Sequence, residues 1–393
     1  MEWASLDTSA PSGAQDLEPL PLFDLSLTEA DLLAVADTLR SGWLSMGPIT
    51  YAFEAAFAEH LGAKHAVAMS SCTAALHLAY LGAGVGPGDE VIVPSYTFAA
   101  TASAVLYCGG TPVFADIIGQ RDLSIDPAEV KRLITPRTKA VAAVHFAGYA
   151  APVDRLAELC RDRGLALIED AAHSPSASLN GRKLGTFGLA SAFSLFSNKV
   201  LSVGEGGLLV TDDDEVAAMA RHLRTHAMTV TSWEKHQGGG PYDVPALGYN
   251  YRIDEPRSAL ALSRLGRLEQ DIDLRRELTR RYRAELSAIP GVIVPFRDED
   301  VETSSCYVLA ILLTEPAQRD DVRLRLRERY GVQTSIFYPP IHLFSAYRER
   351  FPGVSLPRTE LAASGEITIP LFPHMTTAQQ DRVIDALARE VSP

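Results

Sequence analysis

Cysteine is scarce in this chain. Four are present in 393 residues, Cys72, Cys108, Cys160 and Cys306, and no two share a C-x-x-C spacing. That excludes a disulfide scaffold and a zinc spacing, and it fits a reducing cytoplasm. Long hydrophobic runs are missing too, so no stretch of about 20 apolar residues is available to cross a bilayer. The opening residues MEWASLDTSAPSGAQDLEPLP lack the basic and apolar regions of a signal peptide. They read as a flexible tail over residues 1–21. Basic charge is in deficit. With 36 Lys and Arg against 49 Asp and Glu, the formal net charge is -13. That argues against non-specific binding to nucleic acid or an anionic membrane, which needs a dominant basic face. A local basic pocket for a phosphorylated small molecule remains compatible with it.

What is present is an ordinary globular composition, 47% apolar and 22% charged. The length favours a large domain with a smaller companion. In ITYAFEAAFAEHLG, Phe53, Phe57 and Leu61 recur at helical spacing, with Gly62 as the stop. Short apolar runs then alternate with helical patterns. DEVIVP, TPVFADI, KAVAAVHFAG, LALIEDA, SAFSLFS and GLLVTDD read as strands, and VDRLAELCRDRG as a helix. Strands apolar on both faces, alternating with helices, predict an α/β fold with a mostly parallel sheet over residues 22–265. From about Arg264 a long charged helix pattern begins. The alternating SSCYVLAILL, the helical DDVRLRLRERYG and ITIPLF follow it, which predicts a smaller α+β domain over residues 266–393.

Three stretches carry chemistry. SSCTAALHLAYLGAG opens a helix with small hydroxylated residues, an arrangement suited either to a phosphate or to plain capping. IEDAAHS closes an apolar strand with Glu169 and Asp170, where ligands of open α/β sheets bind; an N-cap is the ordinary alternative. SLFSNKVLSVGEGG places Lys199 just after a strand, as a solvated lysine or an amine nucleophile. Together they supply the amine, the carboxylate and the phosphate cup that pyridoxal phosphate requires. PSYTFAAT adds Tyr96 and Phe98 as rings for its face. Other signals point elsewhere: His222 and His226 lack a third zinc ligand, and GVGPGDE precedes a strand where a dinucleotide fingerprint would follow one.

In order and spacing, these motifs resemble the DegT/DnrJ/EryC1/StrS aminotransferases. The likeness extends from SGWLSMGPITYAFEAAFAEHLG to GYNYRIDE and FYPPIHLFSAYRE. It implies the fold type I of pyridoxal-phosphate transferases and a homodimer with shared active sites. By the same resemblance Lys199 is the Schiff-base lysine, Asp170 the partner of the pyridine nitrogen, and Phe98 the ring stacked on the cofactor. Thr73, Ser194 and the backbone at Cys72 hold the phosphate, and His173 stands near the ring hydroxyl. Asn250 reaches the phosphate of the partner subunit, and Tyr338 and His342 lie toward the sugar. Cys72, and the Pro256-Arg257 pair, depart from the usual residues. The GYNYR stretch implies amination at C4 of a nucleotide-linked 4-keto-6-deoxyhexose with L-glutamate as donor. A 3-keto sugar, a keto-cyclitol, or a non-catalytic cofactor-binding regulator are the alternatives.

Overall fold

The computed structural model describes residues 18–391. Residues 1–17 of the expected tail lie outside the described residues, and residues 18–21 do not behave as a tail. Leu20 is buried, its amide donates to Gly331 O at 2.9 Å, and its carbonyl accepts from Gln333 N at 3.0 Å. The cause is apolar: the Leu20–Phe23 stretch belongs to the core, with Phe23 stacked on Tyr307 at 5.8 Å.

A seven-stranded sheet organises the larger part. Its strands are β1 (His65–Met69), β2 (Glu90–Pro94), β3 (Thr111–Ala115), β4 (Thr138–Val144), β5 (Ala166–Asp170), β6 (Ala190–Ser194) and β7 (Gly207–Thr211). The order is β1-β7-β6-β5-β4-β2-β3, and only β7 runs antiparallel to its neighbours. The six apolar runs read as strands are all there. β1 hides in KHAVAMS, a short run behind a helix end. Burial on both faces explains the uninterrupted apolar character: every residue of β2 and β7 is buried.

Helices cover the sheet. α1 (Glu29–Ser41) and α2 (Pro48–Leu61) precede β1, and Gly62 ends α2 at φ 70°. α3 (Cys72–Gly82) follows β1 with Ser71 as N-cap. The long charged pattern resolves into two helices, α4 (Glu255–Leu265) and α5 (Leu268–Leu286), broken at Gly266-Arg267. Pro256 sits in the first turn of α4, where its missing N–H costs no bond.

Beyond α5 a three-stranded antiparallel sheet forms from β8 (Val292–Ile293), β9 (Leu309–Leu313) and β10 (Glu366–Ile369). The expected division at residue 265 falls next to the α4–α5 break. The later chain is not confined to this small sheet, however. Ile341 N donates to Ser95 O at 3.0 Å, Tyr347 shares a 2.6 Å hydrogen bond with Ser103, and Arg358 pairs with Asp116 and Asp126 at 3.2 and 2.8 Å. These contacts bring the segment around 337–347 to the carboxyl ends of the large sheet's strands.

Candidate active site

A cavity of about 440 Å³ opens at those strand ends. The last residues of three adjacent parallel strands line it: Val144 of β4, Asp170 of β5 and Ser194 of β6. Lys199 lies in the turn that follows β6, where its amide donates to Phe196 O at 2.8 Å. Among the described residues, the Lys199 amine makes no hydrogen bond and no ion pair; it lies 4.2 Å from the centroid of the Tyr307 ring. Burial brings the amine down to about 8, against the raising pull of Cys72 and Asp170.

Asp170 and Glu169 are neighbours on β5 and face opposite sides of the sheet. Glu169 is wholly buried and saturated: it accepts from the amides of Gly185, Phe187 and Gly188 at 2.6–2.8 Å and from His145 Nε2 at 3.0 Å. It holds the loop before β6. Asp170 faces the cavity and accepts only from Thr101 Oγ1 at 2.7 Å and Ala172 N at 3.2 Å. Burial pushes its carboxyl up, against the lowering pull of the Thr101 hydroxyl and the Lys199 ammonium. No ion pair reaches it among the described residues, so a buried carboxylate is left short of a cation.

The start of α3 forms a cup. Ser71 Oγ accepts from Ala74 N at 3.1 Å, which leaves the amides of Cys72 and Thr73 in the first turn without intrahelical partners. The Thr73 hydroxyl, Ser71 and Ser194 line the same part of the cavity. Gly207, at the start of β7, presses on this helix start. A Cβ there would run into the Ser71 carbonyl and the Cys72 amide. The Cys72 thiol is pushed well up by burial and stays neutral.

Rings close the other side. Phe98 projects at the mouth, 60% exposed in the single chain, with its centroid 5.9 Å from that of Tyr338. His173 is buried and already committed at both nitrogens. Nδ1 accepts from Ala147 N at 3.2 Å, so the ring proton is on Nε2, which donates to Tyr338 Oη at 3.1 Å. Burial drives His173 well below the ordinary histidine value, so it is neutral. The Tyr338 O–H is therefore left to donate into the cavity.

Three of the residues singled out do not line this chain's cavity. His342 does not line the cavity. It is 2% exposed, with Nδ1 on Ser95 Oγ at 2.7 Å and Nε2 on Glu360 at 3.2 Å, and it latches the late segment to the end of β2. The resemblance placed it toward the sugar with Tyr338, but in the turn at residues 341–343 it is buried against Ser95 and Glu360. Asn250 is exposed and stands apart from this chain's cavity. Tyr96 is buried against Phe146, away from the cavity. Sequence reasoning missed Thr101, Asn198, Tyr307 and Phe337. Thr101 follows Phe98 by one helical turn, a spacing that carried its signal; Tyr307 and Phe337 look like core aromatics in any apolar run.

The chemistry of these groups fits pyridoxal phosphate. A carboxylate without a cation suits its pyridine nitrogen, an unpartnered amine suits its aldehyde, and the open helix start suits its phosphate. Among the described residues, Asn198 Oδ1 is one more buried atom without a partner beside the cavity.

Comparison with known proteins follows the same line. The sequence pattern of the DegT/DnrJ/EryC1/StrS aminotransferase family matches residues 26–388. The spore coat polysaccharide biosynthesis protein SpsC of Bacillus subtilis (strain 168) is 38% identical over 363 residues, 91% of this chain and 93% of that protein. The aminotransferase TlmJ from Streptoalloteichus hindustanus has the same fold at a TM-score of 0.87 and 35% identity, covering 94% of this chain and 98% of that one. DesI, solved in the presence of its TDP-sugar product, gives 0.84 and 34%, covering 94% and 92%. The chain belongs to the DegT/DnrJ/EryC1/StrS aminotransferase family and is a pyridoxal-phosphate-dependent sugar aminotransferase.

Proposed function

We propose that the chain moves the amino group of L-glutamate to C4 of a nucleotide-linked 4-keto-6-deoxyhexose, releasing 2-oxoglutarate and a 4-amino-4,6-dideoxy sugar nucleotide. The observation that carries the reading is the pairing, in one cavity, of an unpartnered amine with a carboxylate short of a cation. Likeness to DesI along nearly the whole chain, together with the GYNYR stretch, supports a nucleotide sugar and the C4 position.

Pyridoxal phosphate, when bound, supplies the electron sink for the pair left on a substrate carbon after proton removal. Lys199 would anchor it through its side-chain amine, and the same amine, when free, would serve as the base and acid that moves the proton. Lys199 would hold that role in both the donor and the sugar half-reactions. Its value of about 8 suits that exchange near neutral pH. Asp170, steadied by Thr101, keeps the pyridine nitrogen protonated. Ser71, Thr73, Ser194 and the first amides of α3 hold the phosphate, with a helix-end contribution of about 0.3–1 kcal/mol. Phe98 covers the ring, Tyr338 donates to a substrate oxygen, and Asn250 completes the phosphate site of the partner subunit in a cytoplasmic homodimer.

The test is product analysis by mass spectrometry and NMR with dTDP-4-keto-6-deoxyglucose and L-glutamate. Formation of the 4-amino sugar nucleotide is the expected result. Turnover of a 3-keto sugar or a keto-cyclitol with this substrate inert overturns the C4 reading. A coloured protein whose absorbance ignores glutamate is a binder without turnover.

A further inference from the structure

The proposed mechanism leaves one wall of the cavity without a task. Tyr307 lies beneath the Lys199 amine with its face toward it. Among the described residues its O–H has no partner, so the hydroxyl is not what secures it. The ring packs on His173 at 4.4 Å and on Phe23 at 5.8 Å, and its amide donates to Ala147 O at 2.9 Å. Behind it, buried Arg275 spends one nitrogen on the carbonyls of Tyr307 (3.2 Å), Leu371 (3.1 Å) and Cys306 (3.5 Å). Cys306 itself takes φ 47°, a backbone that a non-glycine residue adopts when its surroundings impose it. Ser305 adds a hydrogen bond from its Oγ to His173 O at 2.5 Å. The molecule invests several contacts in presenting this ring face at this point.

We propose that Tyr307 is a positioning residue for the reacting amine: its ring face seats the Lys199 ammonium whenever that amine is not bonded to the cofactor. The inference rests on Lys199 being the working amine. The chemistry asks for both protonation states, neutral to take a proton and charged to give one back. Burial alone favours the neutral form, and the negative face of an aromatic ring favours the cation. The ring thus keeps the ammonium accessible in a dry site and holds its stem aimed at the cavity. The other groups facing the amine are Asp170 from β5, Cys72 from α3, His173 and Tyr338 across the cavity, and Glu205 at the mouth. Tyr307 differs from them in presenting its ring face to the amine, and burial pushes its own hydroxyl upward, so it attracts the cation without taking a charge near neutral pH.

The test keeps the shape of the ring and drains its face. Position 307 is replaced by phenylalanine and by phenylalanines carrying one, two and three ring fluorines, in the full chain freed of cofactor. Reductive methylation with ¹³C-formaldehyde tags the six lysines, and Lys199→Met assigns the Lys199 signal by its loss. The Lys199 signal is then titrated by NMR. Tyr307→Phe is expected to titrate close to the parent, and the fluorinated series to fall stepwise by about one pH unit in all. A titration unchanged across the series overturns the proposal. So does a drop with Tyr307→Phe that fluorine does not deepen, because the hydroxyl is then responsible. Either result leaves the aminotransferase reading intact, since product analysis judges that separately.

Discussion

The cavity has two walls of different origin. One is made of strand ends, a helix start and the turn just after β6: Asp170, Ser194, the Ser71–Thr73 cup and Lys199, set by the sheet and the segments that leave it. The other is made of rings from irregular segments, Tyr307, Phe337 and Tyr338, delivered by chain that returns from the small sheet. The first wall carries charge and titrates. The second carries faces and two phenolic O–H groups, of which the Tyr338 hydroxyl is the one tied to His173. The difference teaches a division of labour: the sheet fixes where cofactor chemistry happens, and the returning segments decide what is presented to it.

Substitutions sharpen or break that contrast. Lys199→Ala removes anchor and proton carrier together, so turnover and the visible absorbance of the bound cofactor should both vanish; near-native turnover would sink the mechanism. Asp170→Asn should lower kcat by about 10²–10⁴-fold, a range typical of a lost proton-holding group. Its neighbour offers the control. Glu169→Gln should leave the kinetics of the folded enzyme near the parent while costing about 1–3 kcal/mol of stability, because one acceptor oxygen becomes an NH2 donor and either the Gly185 amide and His145 or the Phe187 and Gly188 amides lose their acceptor. Equal kinetic losses at both positions would erase the distinction between the two faces of β5.

The pH dependence of folding tests the charged wall by sign. In the native chain Lys199 titrates at about 8, against an ordinary 10.5. Between those values the unfolded chain binds a proton that the native chain does not, so stability rises with pH there. Below about 8 the cost of burying the ammonium is fully present, and above 10.5 it is gone. Cofactor-free Lys199→Met should therefore be more stable than the parent at pH 7, by about 3 kcal/mol at ~1.4 kcal/mol per unit. Urea unfolding across the pH series should show that gap closing as pH climbs; a constant gap would contradict it. The smallest effect belongs to the ring wall. Tyr338→Phe deletes one donor and should cost about 3–10-fold in kcat/KM for the sugar, with cofactor absorbance unchanged.

Legibility in the sequence follows the same two walls. The strand-end residues announce themselves because period, capping and position coincide: Asp170 ends an apolar run, Ser71 precedes one, and Lys199 follows one. Register then carries them into one place. The ring wall has no such signal. Tyr307 sits in SSCYVLAILL as a core tyrosine would, and only the left-handed turn at Cys306 and the Arg275 clamp bring it under the amine. His342 shows the reverse failure, a polar residue in a suggestive loop that the fold uses as a buried latch. Leu20 shows a third: a Pro- and Ser-rich neighbourhood masked one leucine that the core needed.

Gly207 has a consequence for how the protein takes up and loses its cofactor. With no room for even a methyl group between β7 and the start of α3, strand and helix meet backbone to backbone at the cup. Gly207→Ala should therefore displace the Ser71 carbonyl and the Cys72 amide, and with them the amides offered to the phosphate. The visible absorbance of the bound cofactor should then be lost faster on dialysis than in the parent.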